Sequence, residues 1–92
     1  MRARDGRVFT GANVENAAYP LGICAERSAL AAAVSAGLRP GDLESIAVTA
    51  SPCGGCRQWL VELRLEQVVY PRSQDEVVAV SPGELLPESF RL

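Results

Sequence analysis

Apolar residues along this chain recur with two periods, and these set out its elements. From Arg7 to Glu15 the pattern alternates and predicts a strand. One face would carry Val8, Thr10, Ala12 and Val14; the other would carry Phe9, Gly11, Asn13 and Glu15. Met1–Arg4 reads as a short charged lead-in, and Asp5-Gly6 as a turn. Asn16–Gly22, punctuated by Tyr19-Pro20, reads as a loop. An Ala- and Leu-rich helix is predicted from Cys24 to about Ala36, stopped by Gly37. Ala29, Ala32, Ala33 and Ala36 would give it a small-residue packing face. After a loop at Arg39–Asp42, Ser45–Ala50 predicts a buried strand around Ile46-Ala47-Val48.

Pro52 ends that strand and suits entry into a second helix, Cys53 to about Leu65, with Trp59, Leu60 and Leu63 as core positions. Strands are predicted at Gln67–Tyr70 and Glu76–Val80, with a polar turn at Pro71–Asp75 between them. Ser81-Pro82-Gly83-Glu84 has the form of a capping box and opens a short helix through Leu86. Pro87 ends it, and the tail contains Phe90. The order is strand, helix, strand, helix, strand, strand, helix. That predicts one α/β domain over residues 1–92, built on a mixed sheet.

Composition narrows the chemistry. At 92 residues the chain is small, and a domain of this size often gains stability from a metal or from oligomerisation. Histidine and lysine are both absent, which excludes Ser-His, Cys-His, His-metal and lysine-based mechanisms. A net charge of −2 argues against a general affinity for a polynucleotide backbone. No apolar run approaches the length that crosses a bilayer. Three cysteines cannot make a disulfide framework, and without an export signal the expected location is the cytoplasm, where thiols stay reduced.

The cysteines fall as one plus two: Cys24-Ala25-Glu26, then Pro52-Cys53-Gly54-Gly55-Cys56. A C-x-x-C pair alone also suits a redox site or a zinc ribbon. A redox reading leaves Cys24 and Glu26 without a purpose, and a ribbon needs a second pair. Three thiolates around zinc leave one tetrahedral corner open, the mark of a catalytic site. Water there ionises near neutral pH. Glu26 is too close in sequence to Cys24 to be a comfortable fourth ligand, but it is well placed to move protons. The pattern C-A-E…P-C-x-x-C matches the signature of zinc-dependent deaminases. Cys24 would sit in the first turn of its helix, where free N–H groups favour a thiolate. Cys53 and Cys56, three apart, would face the same way. On the predicted first strand, Asn13 and Glu15 share a face and could grip a sugar hydroxyl pair; a solvated strand end is the alternative.

Asn13–Tyr19, Ile23–Arg27, Ser51–Gln58 and Glu84–Phe90 together resemble, in order, the motifs of the small homotetrameric zinc type of cytidine deaminase. The resemblance implies a three-layer fold with helices flanking a mixed sheet; the family's first helix and the strand before the Asp-Gly turn are missing here. It implies that Cys24, Cys53 and Cys56 bind zinc and that Glu26 shuttles protons. Asn13 and Glu15 would hold the ribose, and the backbones of Ala25 and Ser51 would touch the pyrimidine edge. Arg27 would hydrogen-bond the thiolates, which offsets their excess negative charge; an exposed helix cation is its other reading. Phe90 would reach a neighbouring subunit's site, or else simply pack in the core. The expected activity is hydrolytic deamination of cytidine or deoxycytidine in a homo-oligomer, a tetramer or a dimer. The alternatives are another aminopyrimidine nucleoside as substrate, or an inactive zinc-binding short form.

Overall fold

The computed structural model describes all residues from Met1 to Leu92. Its elements are β1 (Arg2–Ala3), a 3-10 turn (Tyr19–Leu21), α1 (Ala25–Ser35), β2 (Leu43–Ala47), α2 (Gly54–Glu62), β3 (Gln67–Ser73), β4 (Glu76–Val80) and α3 (Pro82–Leu85). The strands form one sheet in the order β1-β2-β3-β4. β2 and β3 run parallel, joined through α2, and both outer pairs are antiparallel. This is the mixed α/β architecture that the alternation of elements predicts. No helix is long and apolar enough to cross a membrane.

The first strand lies elsewhere than the hydrophobic pattern places it. Arg7–Glu15 is irregular, touched only by isolated bridges at Arg2–Val8 and Val14–Ile23. The lead-in supplies β1 instead, so a two-residue strand does precede the Asp5-Gly6 turn. The alternation is real, but no long partner strand runs beside it, and a strand without a ladder does not form.

Both long helices end as their sequences direct. Beyond α1, Leu38 N–H bonds Ala33 O and Gly37 N–H bonds Val34 O, with Gly37 at φ +101°. Beyond α2 the same pair of bonds runs from Leu65 to Leu60 and from Arg64 to Val61. There Arg64 takes the left-handed conformation at φ +57°, which is why this helix stops at Glu62 and not at Leu65. Each motif tucks a buried leucine, Leu38 or Leu65, back under its helix.

Leu30 and Ala33 of α1, Leu60 of α2, and Leu43, Ile46, Val68 and Tyr70 of the sheet form the core. Leu30, Leu43, Leu60 and Val68 are fully buried, each worth about 1.5–3 kcal/mol. The buried line of α1 runs through Glu26, Ala29, Leu30 and Ala33, so Ala32 and Ala36 of the expected small-residue face point to solvent. On α2 the buried line is Cys56–Leu60, one turn apart; Trp59 is rotated off it and 39% exposed, not a core residue. β2 starts two residues earlier than predicted. β3 continues through Pro71, which pairs with Val77 beside an irregularity in register, a place where proline's missing N–H is tolerated. The turn therefore shrinks to Gln74-Asp75. Ala47, Val77 and Ala79 are exposed, so the helices cover one face of the sheet, and the chain shows two layers where the resemblance implies three.

Candidate metal centre and substrate pocket

Cys24 and Cys53 are the N-cap residues of α1 and α2, and Cys56 lies in the first turn of α2. Their three sulfurs lie within 4.8 Å of one another, and Cys24 Sγ is 3.8 Å from Cys53 Sγ. Tetrahedral zinc with Zn–S bonds of about 2.3 Å sets its sulfurs about 3.8 Å apart, so the cluster has the right size. Three thiols and no fourth protein donor also match a metal with one open position. The two helix starts thus converge as the C-x-x-C spacing and Cys24 imply.

The two thiols of the pair are unlike. Backbone N–H groups of Cys56 and Gly55 in the first turn of α2 hold the Cys53 thiol below its ordinary pKa. Burial pushes the Cys56 thiol up, and the neighbouring thiol Cys53 adds to this. Arg27 answers the thiolate charge: its Nη2 lies 3.7 Å from Cys24 Sγ and 3.4 Å from Gly22 O. Contact with Cys24 raises its pKa further, keeping it a cation. Its buried Nε has no partner, an orphan donor beside the thiols.

A cavity of about 440 Å³ opens over Cys24 and Cys53. Its lining includes Gly11, Asn13, Ala25, Glu26, Val48 and Ser51. The size suits a small organic ligand. Glu26 is 93% buried as a residue, but its carboxylate oxygens stay accessible on the cavity wall, and no protein donor reaches them. They are free to meet a ligand there. Of the residues assigned to substrate, Asn13, Ala25 and Ser51 line this cavity; Glu15 and Phe90 do not. Asn13 and Glu15 flank Val14, which is bridged to Ile23 outside any long ladder, and of the two only Asn13 lines the cavity. Phe90 is 76% exposed, and its carbonyl accepts a 2.7 Å bond from Gln58 Nε2.

Two features escaped the sequence. Asn13 Oδ1 accepts the Ala25 N–H at 2.7 Å, so it caps α1 from outside, where Cys24 makes no side-chain cap. Gly11 presses its backbone against the first turn of α1. A Cβ there would fall on Ala25 O, 2.6 Å from Ala29 N and 3.0 Å from Ser28 Cβ. An isolated glycine inside an apparent strand was the available signal of such a close approach.

Residues 1–72 match the family model described as "Cytidine and deoxycytidylate deaminase zinc-binding region". The chain is 43% identical over 95 aligned positions to a cytidine deaminase of Halalkalibacterium halodurans, covering 95% of this chain and 70% of that one. It is 41% identical over 92 positions to a probable cytidine deaminase of Dictyostelium discoideum, covering 92% of this chain and 61% of the relative. The chain therefore spans between 61% and 70% of the length of these two relatives. The crystal structure of cytidine deaminase from Burkholderia pseudomallei superposes with a TM-score of 0.86 at 44% identity, covering 97% of this chain and 76% of that one. That from Mycobacterium tuberculosis gives 0.78 at 35% identity, with coverages of 98% and 74%. With a family match over most of its length and three thiols gathered at two helix starts, this chain belongs to the zinc-binding cytidine and deoxycytidylate deaminase family.

Proposed function

We propose that this chain deaminates cytidine or deoxycytidine hydrolytically, replacing the C4 amine with oxygen and releasing ammonia. One observation carries the reading: Glu26, its carboxylate free of protein donors, lines the same cavity as Cys24 and Cys53. Cys24, Cys53 and Cys56 would hold zinc, which would supply the Lewis acidity that makes a water nucleophilic near neutral pH. Glu26 is the proton carrier. Its carboxylate takes a proton from the attacking water and delivers it to N3 of the base; it then takes the second proton from the new C4 hydroxyl and passes it to the amine, which leaves as ammonia as the C4–N bond breaks and the C4 carbonyl forms. Arg27 stabilises the charge of Cys24 and keeps that thiol oriented.

The backbones of Ala25 and Ser51, both on the cavity wall, are assigned to the pyrimidine edge. Asn13 and Glu15 are assigned to the ribose. For Ala25 to meet the base, its N–H must be shared with or released by Asn13. Phe90, exposed on the tail, is assigned to a neighbouring subunit's pocket in a homo-oligomer, a tetramer or a dimer. Residues 1–92 are assigned to a single deaminase domain, and its expected setting is the cytoplasm, acting on a free nucleoside.

The test is the loss of ultraviolet absorbance when zinc-loaded protein is mixed with cytidine or deoxycytidine. Conversion to the uridine product supports the reading. A zinc-replete, folded protein that converts neither nucleoside overturns it.

A further inference from the structure

One wall of the cavity is Thr49–Ser51, which leads through Pro52 to Cys53. The last ladder bond of this run is Val48 N–H to Val69 O, and the next backbone bond in the chain is Arg57 N–H to Cys53 O. From Thr49 to Pro52 the backbone makes no hydrogen bond to other backbone groups. The hydrogen bonds that do reach this stretch both come from one side chain. Arg57 Nε donates to Pro52 O at 2.8 Å, and Arg57 Nη2 donates to Ser51 Oγ at 3.1 Å. Its third nitrogen, Nη1, donates to Leu85 O at 3.0 Å, a carbonyl at the C-terminal end of α3.

Arg57 forms no ion pair with a carboxylate. All three of its nitrogens are spent on neutral acceptors in two separate segments. Such an arrangement uses the planar fork of a guanidinium, not merely its charge, and an ammonium cannot reproduce it. We propose that Arg57 is a positioning residue for substrate: it fixes the Ser51-Pro52 wall by fastening it to the end of α3. The proposal rests on the deaminase reading above, and it assigns to Arg57 the binding of the base edge, not the proton transfers of Glu26.

The experiment compares the wild type with Arg57→Lys and Arg57→Met, as zinc-loaded full chains. Arg57→Lys keeps the charge and an aliphatic stem, so it remains informative if Arg57→Met does not fold. The expected result for Arg57→Lys is a KM for cytidine raised about tenfold, the scale of a lost well-placed hydrogen bond, with kcat within about threefold of wild type. Zinc content stays unchanged, and NMR backbone order parameters fall for Thr49, Ala50 and Ser51 but not in the first turn of α1. Unchanged KM and unchanged order parameters overturn the proposal, as does a fall in kcat at constant KM. If the wild type turns over no nucleoside, the deaminase reading fails by itself, and the order parameters still decide whether Arg57 holds this wall.

Discussion

The two sides of the cavity are held by different means. The metal side is regular: α1 and α2 begin there, and their N-terminal turns present Cys24, Glu26, Cys53 and Cys56. Each turn is backed by a buried line of side chains, Ala29–Leu30–Ala33 and Leu60–Val61. The substrate side is irregular. Gly11–Glu15 and Thr49–Pro52 have little or no ladder, and single contacts hold them: a bare glycine backbone, the Asn13 cap, and the Arg57 fork. The metal side therefore draws its precision from the core, in which many contacts share the load. The substrate side draws its precision from a few bonds, and losing one should move a wall without unfolding the protein.

Removing a metal thiol should have the largest effect. Cys53→Ala is expected to lose zinc, activity and stability together, because metal binding and folding are coupled. Elemental analysis and a melting curve check this, and a variant that keeps full zinc would remove the basis of the metal side. Next comes Glu26→Ala, expected to keep its zinc and its fold while turnover falls by roughly 10²–10⁴, the usual share of a proton-transfer group. Normal turnover would strip Glu26 of its role.

Gly11→Ala tests the contact between the two sides. Its new Cβ would meet Ala25 O and Ala29 N of α1, both backbone atoms with little freedom to move. Overpacking of this kind costs about 1–3 kcal/mol. For a domain of this size each kcal/mol lowers the melting temperature by about 4–8 °C. A variant that melts with the wild type would show that the two sides are not in firm contact.

Asn13→Ala should cost about 1 kcal/mol by uncapping α1. Asn13→Asp keeps the acceptor and adds favourable charge at a helix N-terminus, so it should recover that stability. Equal loss in both variants would rule out the cap. The smallest effect concerns Asp5, which accepts the Arg7 backbone N–H at 3.0 Å and Arg7 Nε at 2.9 Å. The backbone bond, with the Arg7 guanidinium, holds its carboxyl below the ordinary aspartate value. The bond thus stabilises the fold above that ordinary value, and the gain is lost as pH falls through the depressed one. The stability gap between wild type and Asp5→Asn should close on acidification, as followed by melting curves across that range.

Much of this protein was legible as pattern. Helices and β4 announce themselves through local signals: Gly37 as a stop, Ser81 accepting the Glu84 N–H as a cap, and alternation in Glu76–Val80. The metal centre was legible because its chemistry needs particular residue types, and this chain has three cysteines in total. Where the reading failed, a local pattern met a non-local condition. Alternation at Arg7–Glu15 lacks a partner strand, and Trp59 sits one residue off the buried line of its helix. Proline at position 71 looks like a turn until the β4 register shows that its missing N–H costs little there.

By itself, then, the sequence determined the order of the elements from α1 onward, the three thiols and the carboxylate beside one of them, because helix stops, caps and metal donors are written in nearest neighbours. Only the tertiary structure decided that Glu26 faces the cavity without a protein donor, that Gly11 abuts Ala25, that Asn13 caps α1, and that Arg57 joins Ser51 and Pro52 to Leu85. Each of these depends on the distance between segments that the chain separates, and that distance is set by how the helices pack on the sheet.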